Sequence, residues 1–67
     1  MSLTIRQARM MRGFTQQQMA DVLCVHRTTY RKLEEHPDQI TIAQAKEISR
    51  VTGVSINDLN FFAQNST

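Results

Sequence analysis

The same six-residue figure recurs four times in 67 residues: an apolar residue, a Ser or Thr, two further residues, then Gln or Asp and another apolar side chain. Its instances are Leu3-Thr4 to Gln7-Ala8, Phe14-Thr15 to Gln18-Met19, Ile40-Thr41 to Gln44-Ala45, and Val54-Ser55 to Asp58-Leu59. Each reads as the start of a helix. The hydroxyl accepts a hydrogen bond from a backbone N–H that the first turn leaves without a partner, and the Gln or Asp reaches back to the N–H of the hydroxyl residue. The apolar pair staples the entering chain to the new helix. Each such cap is worth on the order of 1 kcal/mol. A chain that spends so many residues on helix starts has little room for anything else.

Helix ends fit between these starts. Gly13 and Gly53 stand where the first and fourth helices should stop and supply the left-handed residue a terminating helix often needs. Pro37 lies in a polar loop, His36-Pro37-Asp38-Gln39, between the third helix and the fourth. Hydrophobic spacing then places helices at about Thr4 to Arg12, Gln16 to Leu23, Arg27 to Glu35, Ile42 to Thr52 and Ile56 to about Phe62. No stretch alternates apolar and polar residues long enough to be a strand, so the expectation is an all-α, compact five-helix fold. Its expected core is Ile5, Ala8, Met19, Ala20, Leu23, Val25, Tyr30, Leu33, Ile42, Ala45, Ile48, Val54 and Leu59. Phe14 acts as a staple, and Phe61 or Phe62 closes the bottom.

Length confines this to one small domain over residues 1–67, because a second core would have too few residues. The lone Cys24 has no partner for an internal disulfide and fits a reducing, cytoplasmic setting. No apolar run approaches the roughly 20 residues that span a bilayer, and the opening residues lack the apolar core of a secretion signal. A soluble protein with no membrane partner is expected, and the polar ending Gln64-Asn65-Ser66-Thr67 reads as a terminus or linker. The net charge of +2 hides an asymmetry. Residues 1–33 set Arg6, Arg9, Arg12, Arg27, Arg31 and Lys32 against Asp21 alone, a net +5. Residues 34–67 set Lys46 and Arg50 against Glu34, Glu35, Asp38, Glu47 and Asp58, a net −3. One basic side and one acidic side suit a small protein that meets phosphates on a single face.

Within the basic half, residues 15–34 read as two short helices joined by a tight turn at Cys24-Val25. Met19, Ala20 and Leu23 of the first and Tyr30 and Leu33 of the second turn inward, leaving His26, Arg27, Thr28, Arg31 and Lys32 outward. Ala20 is small enough to let the two helices cross closely. A braced helix with basic and hydrogen-bonding side chains outward suits the major groove of double-stranded DNA.

These residues carry a resemblance. Arg9 four positions before Gly13, then Phe14-Thr15-Gln16, Met19-Ala20, Leu23, Val25, Leu33-Glu34, and Gly53-Val54-Ser55 before Leu59 resemble the lambda-repressor-like helix-turn-helix domain of the Cro and Xre type. It is a five-helix fold of phage repressors and small bacterial regulators. The resemblance extends from about Leu3 to Leu59 and makes helices two and three the helix-turn-helix. It implies that the third helix enters the major groove while the start of the second sits on the phosphate backbone.

Carried over position by position, the resemblance makes Arg27, Thr28 and Lys32 base readers, Arg27 through a fork that can bond guanine O6 and N7 together. It makes Gln16 and Gln17 contacts to phosphate or to a base at the groove edge, with His26, Arg31, Arg6 and Arg12 along the backbone. Arg9 and Glu34 become a structural ion pair between the first helix and the end of the third. The competing readings are that Arg27, Arg31 and Lys32 only neutralise phosphate, that Gln16 and Gln17 are ordinary exposed residues, and that Arg9 faces DNA with Glu34 in solvent. The implied function is a sequence-specific transcriptional regulator, a phage-type or prophage-type repressor on a palindromic operator. The alternative is an antitoxin-type protein that binds a partner toxin and regulates its own operon. A homodimer is expected, forming in solution or only on DNA, with Phe61 and Phe62 at its interface.

Three residues depart from the family pattern. Cys24 stands in the turn where Gly is usual, His26 replaces the Ser or Thr cap of the third helix, and Tyr30 fills a site normally held by Ile or Val, so its hydroxyl must find a partner or reach the surface. Cys24 and His26 with the distant His36 match no zinc spacing, so no metal or other cofactor is expected. With Gly only at 13 and 53 there is no phosphate-cradling loop, and no catalytic constellation appears at working spacing, so an enzyme is not expected.

Overall fold

The computed structural model describes residues 2–61. The chain forms β1 (Leu3–Thr4), α1 (Ile5–Met11), α2 (Gln16–Leu23), α3 (Arg27–Glu35), a 3-10 turn (Pro37–Gln39), α4 (Ile42–Thr52), a second 3-10 turn (Ile56–Asp58) and β2 (Leu59–Asn60). Capping sets three of the helix starts. Thr4, Thr15 and Thr41 each accept a bond from the N–H three residues on, while Gln7, Gln18 and Gln44 accept from the N–H of the threonine. α3 starts without such help: His26 occupies the cap position and makes no side-chain cap bond.

α1 and α2 end in the same way. After α1, the N–H of Phe14 reaches the carbonyl of Arg9 (3.2 Å) and that of Gly13 the carbonyl of Met10 (3.0 Å); after α2, Val25 reaches Ala20 (3.0 Å) and Cys24 reaches Asp21 (3.2 Å). This is the Schellman pattern, which requires a left-handed residue, Gly13 at φ 75° and Cys24 at φ 58°. The apolar residue that follows, Phe14 or Val25, packs against the core. α2 and α3 are thereby locked across a turn of three residues, and they make the most extensive contact between elements of the fold.

Ile5, Ala8, Met19, Ala20, Tyr30, Ile48 and Leu59 form one buried cluster, with Phe14, Leu23, Val25, Val54 and Phe61 packed partly buried against it. Ala20 is fully buried. Its methyl lies on the inward face of α2, the helix most closely packed on α3, which is the close approach its size allows.

Five expectations need correction. The fifth helix, expected from Ile56 to about Phe62, does not form over Ile56–Phe61, and among the described residues four α-helices stand where five were expected. Ser55 accepts from the N–H of Asn57 rather than that of Asp58, which instead donates to the Ser55 carbonyl at 2.8 Å. This is a 3-10 closure, and Asn57 and Asp58 are poor residues for extending it into a helix. The chain straightens so that Leu59 can enter the core, and Leu59–Asn60 pairs in parallel with Leu3–Thr4, Leu3 opposite Leu59. A strand pairing therefore exists where none was expected; two residues are too few to show alternation. Phe62 lies outside the described residues.

Ile42, expected in the core, is 76 % exposed. It is the first residue of α4, whose buried stripe is Ala45, Ile48 and Thr52, with Val51 on its flank; Ile42 lies off that stripe with no preceding turn to cover it. Thr52 takes the inward place that sequence hydropathy did not award it. Its Oγ1 donates to the carbonyl of Ile48 at 2.6 Å and accepts from the N–H of Val54 at 3.3 Å, which makes a buried hydroxyl tolerable. Pro37 is buried rather than merely spacing a polar loop, at the first position of its 3-10 turn, where its missing N–H is not needed. No helix among the described residues is long and apolar enough to cross a membrane.

Candidate nucleic-acid interface

α3 carries two faces of opposite character. Tyr30 and Leu33 are buried, and Thr28, Lys32 and Glu35 recur opposite them at i, i+4 and i+7, with Arg27 and Arg31 on one flank and Thr29 on the other. All six of these outward residues are exposed, as is His26 at the helix start. Arg27, Thr28, Thr29 and Lys32 make no side-chain hydrogen bond or ion pair within the described residues, so their polar groups are available to a ligand. Arg31 is the exception: its Nε lies 3.8 Å from Glu35 Oε2, an exposed pair one helical turn apart and worth only a few tenths of a kcal/mol.

Thr29 and Glu35 are the outward residues of α3 that the sequence reading left without a role. Glu35 places a carboxylate on the face otherwise rich in cations, and the i, i+4 spacing Arg31 to Glu35 is the signal that could have found it.

Behind this face, Glu34 gathers three elements. Its Oε2 accepts from Arg9 Nε at 2.6 Å and its Oε1 from Gln16 Nε2 at 3.1 Å, while Arg9 Nη1 donates to the Phe14 carbonyl at 2.9 Å. The side chains of Arg9 and Glu34 are only 11 % and 6 % exposed. Burial on its own would raise the Glu34 pKa, but the hydrogen bonds from Arg9 and Gln16 and the attraction of Arg9 outweigh it and hold the carboxyl below the usual carboxylate range. The same charges act on Arg9, where attraction to Glu34 overcomes desolvation and moves its pKa upward. The pair thus ties α1, the start of α2 and the end of α3 together.

Tyr30 sits beside this pair. Its ring is fully buried, and its hydroxyl, although near Glu34 and Arg9, completes no hydrogen bond of acceptable geometry. The expectation that the hydroxyl finds a partner or reaches the surface is therefore not met; the packing of the ring fixes the oxygen where it falls. Burial first, and then the adjacent Glu34, push its pKa far upward.

Gln16 and Gln17, expected at the DNA backbone or groove edge, both have their amide nitrogens engaged: Gln16 on Glu34, and Gln17 on Asp21 Oδ1 at 2.9 Å. Gln16 is half-buried and Gln17 exposed. Arg6 and Arg31 line one groove of about 730 Å³ together with Gln16, Glu34 and Glu35, so α1, the start of α2 and the flank of α3 share one surface. Arg12 is exposed at the end of α1. Phe61, the residue after β2, is half-buried against its own core. Cys24 and His26 are exposed at the turn, and among the described residues no three His, Cys, Asp or Glu side chains are grouped to hold a metal ion.

The arrangement is that of a helix-turn-helix with a cationic outer helix, and a family comparison agrees with it. No curated protein and no solved structure matches the chain. The family described as Helix-turn-helix matches residues 5–59, from the first residue of α1 to the first of β2. That span takes in every α-helix and most of the chain, so the protein belongs to the helix-turn-helix family, of the lambda-repressor-like Cro and Xre type, and is a DNA-binding transcription regulator.

Proposed function

We propose that the protein is a sequence-specific repressor of the phage or prophage type, which binds a palindromic operator as a homodimer with α3 in the major groove. The observation that carries this reading is the outer face of α3, where Arg27, Thr28 and Lys32 are exposed and make no internal hydrogen bond or ion pair, on a helix locked to α2 by the Schellman turn at Cys24. Arg27 reads guanine through its two-pronged guanidinium, Thr28 offers a hydroxyl and a methyl to the neighbouring base, and Lys32 bonds a guanine or a phosphate. Arg31, Arg6, Arg12, His26, Gln16 and Gln17 lie along the sugar-phosphate backbone or the groove edge. Repression follows from occupancy, the bound protein excluding polymerase.

Two half-sites with centres about 34 Å apart, one turn of the duplex, match two copies of one helix-turn-helix. Phe61 and Phe62 are the proposed contact between the copies. Selection of bound sequences from random duplex DNA at fixed salt tests the reading: a palindromic consensus is expected, in which Arg27→Ala relaxes one position by about tenfold or more. Equal weakening on all sequences, with a lower salt slope, would reassign Arg27 to the phosphates.

A second reading has one observation in its favour. Met10 and Met11 on α1 are 58 % and 66 % exposed and border an apolar hollow with Leu3, a surface that suits a protein partner such as the toxin of an antitoxin-type regulator. Recovery of a stoichiometric small partner on purification from the native cell would favour it.

A further inference from the structure

We infer that the outer face of α1 docks an acidic, amphipathic segment of a partner protein, and that this docking and DNA binding exclude each other. The inference rests on the protein-partner reading above and deepens it, giving that partner a chemistry and its binding a consequence. Ile5, Ala8 and Arg9 turn one side of α1 into the fold, which leaves Arg6, Gln7, Met10 and Met11 exposed on the other. Met10, Met11, Ile42 and Ile56 are the exposed large apolar side chains among the described residues, and the two methionines are neighbours. With Leu3 and Gln7 they line a hollow of about 430 Å³. Gln7 and Met10 also line the groove that holds Arg6 and Arg31, so the apolar hollow and the charged groove share a wall. Unbranched thioethers adapt to side chains of different shape and suit an apolar surface on a protein. A sugar-phosphate backbone is held by cations and hydrogen-bond donors, and two adjacent methionines supply neither.

Charge selects the partner. No Asp or Glu precedes Asp21, so residues 1–20 carry Arg6, Arg9 and Arg12 with no acid among them. Arg9 is engaged by Glu34, whereas Arg6 and Arg12, both exposed, make no side-chain hydrogen bond or ion pair among the described residues. Arg6 and Met10 are neighbours one helical turn apart. A segment that sets an aliphatic or aromatic side chain against Met10 and Met11, and carboxylates beside Arg6 and Arg12, complements this face in both respects. The exclusion follows from shared residues. Arg6 is a proposed contact to the DNA backbone and lines one groove with Arg31 on the flank of α3. Carboxylates seated there occupy the cation that a phosphate needs and put negative charge where the duplex would lie. Docking thereby releases the operator.

Panning a random peptide library against the full-length protein, followed by titration of one selected synthetic peptide, tests the docking face. The selected peptides are expected to combine Asp or Glu with Leu, Ile, Phe or Trp. Replacing both methionines, Met10→Gln with Met11→Gln, keeps good helix formers at exposed positions, so the fold is retained. This double variant is expected to weaken the peptide about tenfold or more and to leave the affinity for a selected duplex unchanged. Arg6→Gln is expected to weaken the peptide and to make its binding less sensitive to salt. Saturating peptide is expected to displace a labelled duplex, read as a fall in fluorescence anisotropy. A selection that returns no consensus, or one without acidic residues, would overturn the acidic partner. Peptide affinity indifferent to the methionine pair would remove the docking site from α1, and a double variant that loses peptide and duplex alike would give this face to DNA instead. A ternary complex of protein, peptide and duplex would refute the exclusion. Failure of the wild-type protein to bind any duplex would overturn the repressor reading and the exclusion with it, whereas the docking face is decided by the peptide titration alone.

Discussion

Cys24→Gly should stabilise the protein, and the size of the gain can be worked from the turn. Cys24 sits at φ 58°, ψ 42°, where a side chain crowds its own carbonyl at a cost of roughly 1–2 kcal/mol. Glycine removes that crowding but brings a more flexible unfolded chain, which takes back about 0.5–1 kcal/mol. The thiol is exposed, so no buried contact is lost with it. The backbone bonds from Val25 to Ala20 and from Cys24 to Asp21 involve no side-chain atom and persist. The net gain is about 0.5–1 kcal/mol, or a rise in melting temperature of about 4 °C for a protein of this size. Urea and thermal unfolding of wild type, Cys24→Gly, Cys24→Ala and Cys24→Val measure it. Alanine, which keeps the strained Cβ, should match wild type within a few tenths of a kcal/mol, and valine, stiffer at χ1, should fall about 1 kcal/mol below it. A glycine variant no more stable than the alanine variant would show that the left-handed turn is not strained, and the argument would fail.

Three further outcomes are expected. Tyr30→Phe deletes a buried hydroxyl that lacks a hydrogen-bond partner, so it should raise stability by about 1 kcal/mol in urea unfolding. Because the folded protein holds that hydroxyl protonated, the contribution of Tyr30 is intact below the ordinary value of 10.0 and declines as pH rises above it; the variant should lack this alkaline loss. Glu34 titrates in the opposite sense: its carboxyl is depressed below the ordinary 4.5, so its stabilisation is complete above that value and lost as pH falls through the folded one. Glu34→Gln should be less stable than wild type at neutral pH, with the gap narrowing in acid, as a series of unfolding curves would record. Ala20→Leu overfills the fully buried site where α2 lies against α3 and should destabilise by about 1–3 kcal/mol while weakening DNA binding, measured by denaturation and by titration of a selected duplex.

The site was readable in the sequence as far as residue identity and helical spacing carry. His26, Arg27, Thr28, Arg31 and Lys32 were assigned outward because Tyr30 and Leu33 had to point inward, and their exposure follows from that period. The meeting of Gln16 with Glu34, 18 residues away along the chain, was not readable, because it depends on how the start of α2 lies against the end of α3. The missing partner of the Tyr30 hydroxyl was not readable either. Sequence identifies a phenol in an aliphatic position, whereas the rotamer that packs its ring determines where the oxygen ends.

The local grammar of caps and turns determined most of the helices by itself. Gln16–Leu23 and Ile42–Thr52 have the bounds expected from Thr15, Cys24, Thr41 and Gly53, since a cap is a local interaction that needs no other part of the fold, while Arg27–Glu35, uncapped at His26, has the bounds expected from its hydrophobic spacing. Tertiary structure alone decided the last segment. Val54-Ser55 to Asp58-Leu59 has the same pattern as the three formed caps, yet Leu59 is drawn into the core beside Leu3 and the chain extends to reach it. It also decided which face of α4 is buried, exposing Ile42 and burying Thr52. In the last segment a local preference of about 1 kcal/mol competes with burial of the Leu59 side chain, worth roughly 1.5–3 kcal/mol, and in both places burial depends on neighbours that only the assembled fold supplies.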